Sequence, residues 1–63
     1  MYQLLVYYPE RSDAQAMINA QNASEALALI PRILAEHHGC ERVVVMMGTV
    51  RLFAVDCAGN TMP

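Results

Sequence analysis

The chain lacks most of what marks a familiar class. It has no lysine. Its four basic residues, Arg11, Arg32, Arg42 and Arg51, are scattered, and six acidic residues leave a net charge of −2. Duplex nucleic acid is held by a clustered basic footprint, and none is visible, so nucleic acid is not an expected partner of one chain. Only a dimer would gather these arginines into a stripe. No apolar run reaches the roughly 18 residues of a membrane helix, and no secretory leader is read in the sequence. Glycine is equally scarce: Gly39, Gly48 and Gly59 stand singly, which excludes a glycine-rich phosphate loop. Two cysteines, Cys40 and Cys57, cannot make a disulfide scaffold. The expectation is a cytoplasmic protein with free thiols and no membrane association.

Charge itself is in short supply. Charged residues make up 16% of the chain and hydrophobic ones 56%, where soluble domains usually carry about a quarter charged. The 63 residues fit a single domain, 1–63. A domain this short buries only about 60% of its unfolded surface, so chains of this size commonly lean on a partner, a metal or a disulfide. Few charges on so small a body leave apolar surface outside. That favours self-association or a protein partner.

What is present is organised around Arg42 to Cys57. Two runs of β-formers flank Gly48-Thr49, the pattern of an antiparallel hairpin. Strand side chains alternate, so Val43, Val45 and Met47 point one way and Val44 and Met46 the other. On the return, Val50, Leu52 and Ala54 oppose Arg51, Phe53, Val55 and Cys57. Both faces carry bulky apolar groups.

Ahead of the hairpin, Tyr2–Tyr8 reads as a strand, with Tyr2, Leu4, Val6 and Tyr8 on one face and Gln3, Leu5 and Tyr7 on the other. Pro9 to Asp13 ends it with turn chemistry. Ala14–Ala20 is either a short strand or an ordered loop. The pattern from Asn22 to His38 predicts the only helix. Asn22 is its N-cap, Glu25 completes a capping box, and Ala23, Ala26, Leu27, Ile30, Ile33, Leu34 and His37 form the apolar stripe, centred on Ile30 and Leu34. Pro31 removes one helical bond and is expected to kink or split the helix. Ala58 to Pro63 reads as a turn and a short tail. The expected fold is α+β: a three- or four-stranded antiparallel sheet with one helix on one face, in the order β-(β)-α-β-β.

Candidate chemistry is thin. His37, His38, Cys40 and Glu41, with Asp56 and Cys57 later, are the densest set of potential ligands. Adjacent helical histidines diverge by about 100°, and zinc spacing such as Cys-x₂₋₄-Cys is absent. A Cys–His nucleophile pair has no orienting third group or oxyanion hole in view. No catalytic residue, metal or cofactor is therefore expected. Tyr2, Tyr7, Tyr8 and Phe53 lack the basic groove of a base-stacking platform and suit a core or a protein interface.

The capped opening Asn22-Ala23-Ser24-Glu25-Ala26-Leu27 resembles the helix entry of HicB-like antitoxin domains, though the sequence holds no counterpart of that family's separate DNA-binding segment. The order of elements, with Ala23-Ser24-Glu25-Ala26 opening an alanine-rich helix between strands, is similar to that of small phage and mobile-element inhibitors of the anti-CRISPR kind. That resemblance implies steric blockade of a bacterial defence complex, without catalysis. The functional expectation is thus a non-enzymatic protein-binding module, a homodimer built through its sheet. Tyr7, Val44, Met46, Arg51, Phe53 and Val55 are the candidate interface residues. The alternatives are a dimeric DNA-binding or antitoxin-like regulator and a small ligand-binding protein or enzyme with a pocket between subunits.

Overall fold

A computed structural model describes residues 1–62. In chain order the elements are β1 (Tyr2–Tyr7), β2 (Ala16–Ala20), α1 (Ala23–Glu36), β3 (Arg42–Met47), β4 (Val50–Asp56) and β5 (Thr61–Met62). The strands form one antiparallel sheet in the order β2-β1-β3-β4-β5. The α+β reading holds, with Ala16–Ala20 a strand and a short fifth strand added where a tail was expected.

The centre of the sheet goes to the two segments richest in β-branched and large apolar residues, β1 and β3. Their partners across the ladder are Leu4↔Val45 and Val6↔Val43, with Val55 continuing the second row. Leu4, Val6, Val43 and Val45 are at most 1% exposed. Each such burial contributes about 1.5–3 kcal/mol, so this strip under the helix is the main source of stability.

α1 connects the edge strand β2 to β3 and packs on β1 and β2. Its start follows from Asn22, whose side-chain oxygen accepts the Glu25 backbone N–H at 2.8 Å. The helix is rotated from the expected stripe. Ala26 and Ile33 are its buried residues, Leu29 joins half-buried Ile30 and Leu34 against the core, and Leu27 is left 56% exposed. Sequence spacing fixes a stripe only to within one residue position, and Leu29 supplies an apolar group on the other flank. Pro31 neither splits nor ends α1, which continues unbroken past it; Pro31 is exposed, so the bond it forgoes lies away from the core. The helix stops two residues earlier than expected, at Glu36, with His37 as C-cap donating its N–H to the Ile33 carbonyl at 2.9 Å.

Two turns carry the chain through positive φ. Gly48 (φ +63°) is the first residue of the two-residue hairpin loop, the type II′ position that favours glycine. Glu10 (φ +67°) is the only non-glycine in this region among the described residues. It follows Pro9 in a turn closed by the Arg11 N–H on the Tyr8 carbonyl at 3.2 Å, where a type II turn normally places glycine.

The expectation of free thiols is overturned. Cys40 and Cys57 form a disulfide, with Cα atoms 5.8 Å apart, within the usual range. Cys40 follows the helix and Cys57 follows β4, and the fold brings these ends together although 17 positions separate them in the chain. The bond staples the end of α1 to the sheet.

The tail reading of 58–62 is also corrected. Asp56 reverses the chain: its N–H donates to the Asn60 carbonyl at 2.8 Å, and its carboxylate accepts the Ala58 and Asn60 N–H groups, both at 2.9 Å. Thr61 and Met62 then pair with Val55 and Ala54.

Candidate functional site

With α1 on one face, the other face of the sheet carries no element among the described residues. Residues directly opposite in a ladder share a face, so the registers give its rows. The central row is Met17, Leu5, Val44, Ala54 and Met62, one residue from each strand. On one side lie Asn19, Gln3, Met46 and Arg51, and on the other Tyr7, Arg42 and Asp56. The result is an apolar stripe between two polar-rimmed ones, rich in the tyrosine, methionine and arginine that favour protein interfaces.

Val44 is 7% exposed and Ala54 fully buried although no element among the described residues lies over them. They form the floor of the stripe, walled by their neighbours, while Leu5, Met46 and Met62 are half-buried and Met17 exposed. At one rim the Arg42 guanidinium sits 4.3 Å above the Tyr7 ring centroid and pairs with the Glu41 carboxylate. These contacts hold a cation and an aromatic ring in fixed geometry at the surface. The Asp56 carboxyl is held below its ordinary pKa, first by the Asn60 backbone N–H and further by the Ala58 N–H, against an opposing push from desolvation.

The six interface candidates divide between the faces. Tyr7, Val44, Met46 and Arg51 lie together on the open face. Val55, 4% exposed, is part of the helix-covered core, and half-buried Phe53 packs against it. Strict alternation groups Arg51 with Phe53 and Val55. A register shift between Val45 and Met46 undoes that grouping, because Val45 pairs with Phe53 and Met46 with Arg51, leaving Leu52 as the extra residue. Such a bulge re-aims side chains, here turning Arg51 to the open face and Leu52 towards the helix side.

Leu52 thereby helps line a second apolar feature that the sequence did not reveal. α1 sits over the β1–β2 side of the sheet, so near β4 its N-terminal turns leave a cavity of about 130 Å³ bordered by Tyr2, Leu27, Val45, Leu52 and Phe53. Exposed Met47 and Val50 extend this surface to the hairpin tip.

The side chains able to carry chemistry do not converge. The Tyr8 hydroxyl and His37 Nδ1 are 2.9 Å apart, with the rings edge to face. His38 is exposed, and both sulfurs belong to the disulfide. Among the described residues no three His, Cys, Asp or Glu side chains are grouped to hold a metal, and no helix is long and apolar enough to cross a membrane. No protein-family model, curated protein or solved structure matches the chain.

Proposed function

We propose that the chain is a non-enzymatic protein-binding module whose working surface is the open face of its sheet. It acts in the manner of the small phage and mobile-element inhibitors whose size and element order it resembles, occluding a surface of a larger bacterial complex. The observation that carries this reading is the apolar row from Met17 to Met62, spanning all five strands with no element over it among the described residues. A soluble protein rarely leaves such a stripe without a use. Tyr7, Arg42 and Arg51 at its rims supply groups that anchor interfaces. In this reading Val44 and Ala54 shape the floor, and Leu5, Met46, Met17 and Met62 make the contact. Dimerisation centred on Phe53 and Val55 is not part of the proposal, because Val55 lies in the core under α1.

The test is direct binding to purified type I CRISPR interference complexes, comparing the wild-type chain with Met46→Glu and Tyr7→Ala. Capture by the wild type and at least a tenfold loss in both variants is the expected result, about 1.4 kcal/mol or more. Equal capture by all three would remove the open face from the account. Binding to plain duplex DNA that falls steeply with added salt would favour the DNA-binding regulator instead.

A further inference from the structure

The two edges of the sheet are built differently. At one edge β5 is two residues long, and β4 beside it is bent by the Leu52 bulge and carries Arg51. At the other edge β2 spans five residues, and its ladder with β1 runs from Tyr2↔Ala20 to Val6↔Ala16 without a shift. From Ala14 to Ser24 the chain has neither a charge nor a proline. Sheets usually guard an edge with a charge, a proline, a bulge or a very short strand. That side of the sheet combines a very short edge strand with a bulge and a charge on β4, and β2 has none of the three.

We propose that β2 is a pairing edge and that its occupant is β2 of a second copy, joined by a two-fold antiparallel ladder into one ten-stranded sheet. The proposal rests on the open face being the binding surface, because it leaves that face free and sets two of them side by side.

The sequence of the edge favours a second copy over a foreign strand. A neutral strand meets its own copy without like-charge repulsion, and it offers no counter-charge to select a charged peptide. Two-fold pairing about Ile18 places Ile18 opposite the partner subunit's Ile18 on the helix side, where the side chain already packs against the core. Ala16 then meets the partner subunit's Ala20. On the open face Met17, 57% exposed, meets Asn19 of the partner subunit. Partners in such a ladder share a face, so both helices lie on one side and both apolar stripes on the other. Main-chain hydrogen bonds supply the affinity, as in strand addition generally. A five-residue seam is small, so the association is weak and concentration-dependent.

Sedimentation from micromolar to millimolar concentration is expected to show a monomer–dimer equilibrium, with β2 amides gaining hydrogen-exchange protection as the dimer forms. The double variant Met17→Lys, Asn19→Lys sets like charges opposite one another twice across the seam and should weaken self-association about tenfold or more. Both side chains are exposed, so its melting temperature should match that of the wild type at low concentration. Mixing it with Met17→Glu, Asn19→Glu should restore a heterodimer. A wild type that stays monomeric throughout, or a lysine variant that associates as the wild type does, would overturn the proposal. Met46→Glu separates the two readings: it should weaken target capture at least tenfold and leave self-association unchanged. Capture that survives Met46→Glu sinks the face reading alone.

Discussion

Within β3, Val43 and Val45 face α1 while Val44 and Met46 face away, and the four residues hardly differ in chemistry. Val43 and Val45 are buried to within 1% among Leu4, Val6, Ile33 and Val55. Val44 is walled only by its neighbours, and Met46 is half-buried. The comparison teaches that in so small a sheet apolar character does not identify the core. Cover by the helix marks most of it, with Val44 and Ala54 buried by their neighbours on the other face. Apolar groups on the helix side hold the chain together, and on the other side Leu5, Met17, Met46 and Met62 keep exposed surface for contact.

The sharpest way to break that comparison is to truncate one residue on each side. Leu4→Ala, fully buried under the helix, should destabilise the domain by about 2–5 kcal/mol, whereas Met46→Ala should change stability by no more than about 1 kcal/mol. Urea denaturation of the two variants measures the gap. Equal losses would mean that both faces are core.

The next effect concerns what holds the helix to its side. Cys40–Cys57 closes a loop across 17 positions, and in the loop-entropy account a closure of that length stabilises by about 3 kcal/mol. Cys40→Ser with Cys57→Ser, or reduction of the wild type, should lower stability by that order in denaturant titrations. An unchanged midpoint would leave the staple without thermodynamic weight.

A smaller gain is expected at Glu10, which holds a positive φ (+67°) without being glycine. That conformation costs other residues about 1–2 kcal/mol, and asparagine tolerates it better. Glu10→Asn should therefore raise stability by a fraction of that amount. No change on thermal melting would show the turn to be unstrained.

The least effect is expected at the rim. Because the folded Asp56 carboxyl is held below its ordinary pKa by the Asn60 and Ala58 N–H groups, its ionised form stabilises the β4–β5 turn above the unfolded-state pKa. That contribution is lost as pH falls through the lower, folded value. Melting temperatures across the acidic range should drop for the wild type and drop less for Asp56→Asn, which keeps an acceptor oxygen and has no proton to bind. Parallel pH curves would contradict this.

Much of the fold was legible because local chemistry and global pattern agree. Asn22 caps the helix, the Gly48-Thr49 break turns the hairpin, and period-two alternation in Tyr2–Tyr7 puts Leu4 and Val6 inside. Other features depend on distances no spacing rule supplies. The disulfide needed the helix end and the β4 end to meet, and β5 is too short to show a period. The bulge at Leu52 adds one residue that strict alternation cannot see, so alternation puts Arg51 on the wrong face and gives no sign of the cavity beside Phe53. Of the candidate surface, Tyr7, Val44 and Met46 could be read from β1 and β3, which are regular. The candidates on β4 could not, because the bulge resets their direction.

The five methionines offer the most direct test of whether the open face is the working one. Met17, Met46 and Met62 lie on that face, whereas Met47 pairs with Tyr2 on the helix side. Methyl NMR of the ¹³C-methionine-labelled chain, recorded with and without a captured type I interference complex, reads all of them at once. Broadening or shifts at Met46, Met62 and Met17 with Met47 unmoved is the predicted outcome. Perturbation of Met47 with Met46 and Met62 unchanged would move the interface to the surface between the cavity under α1 and the hairpin tip and contradict the account.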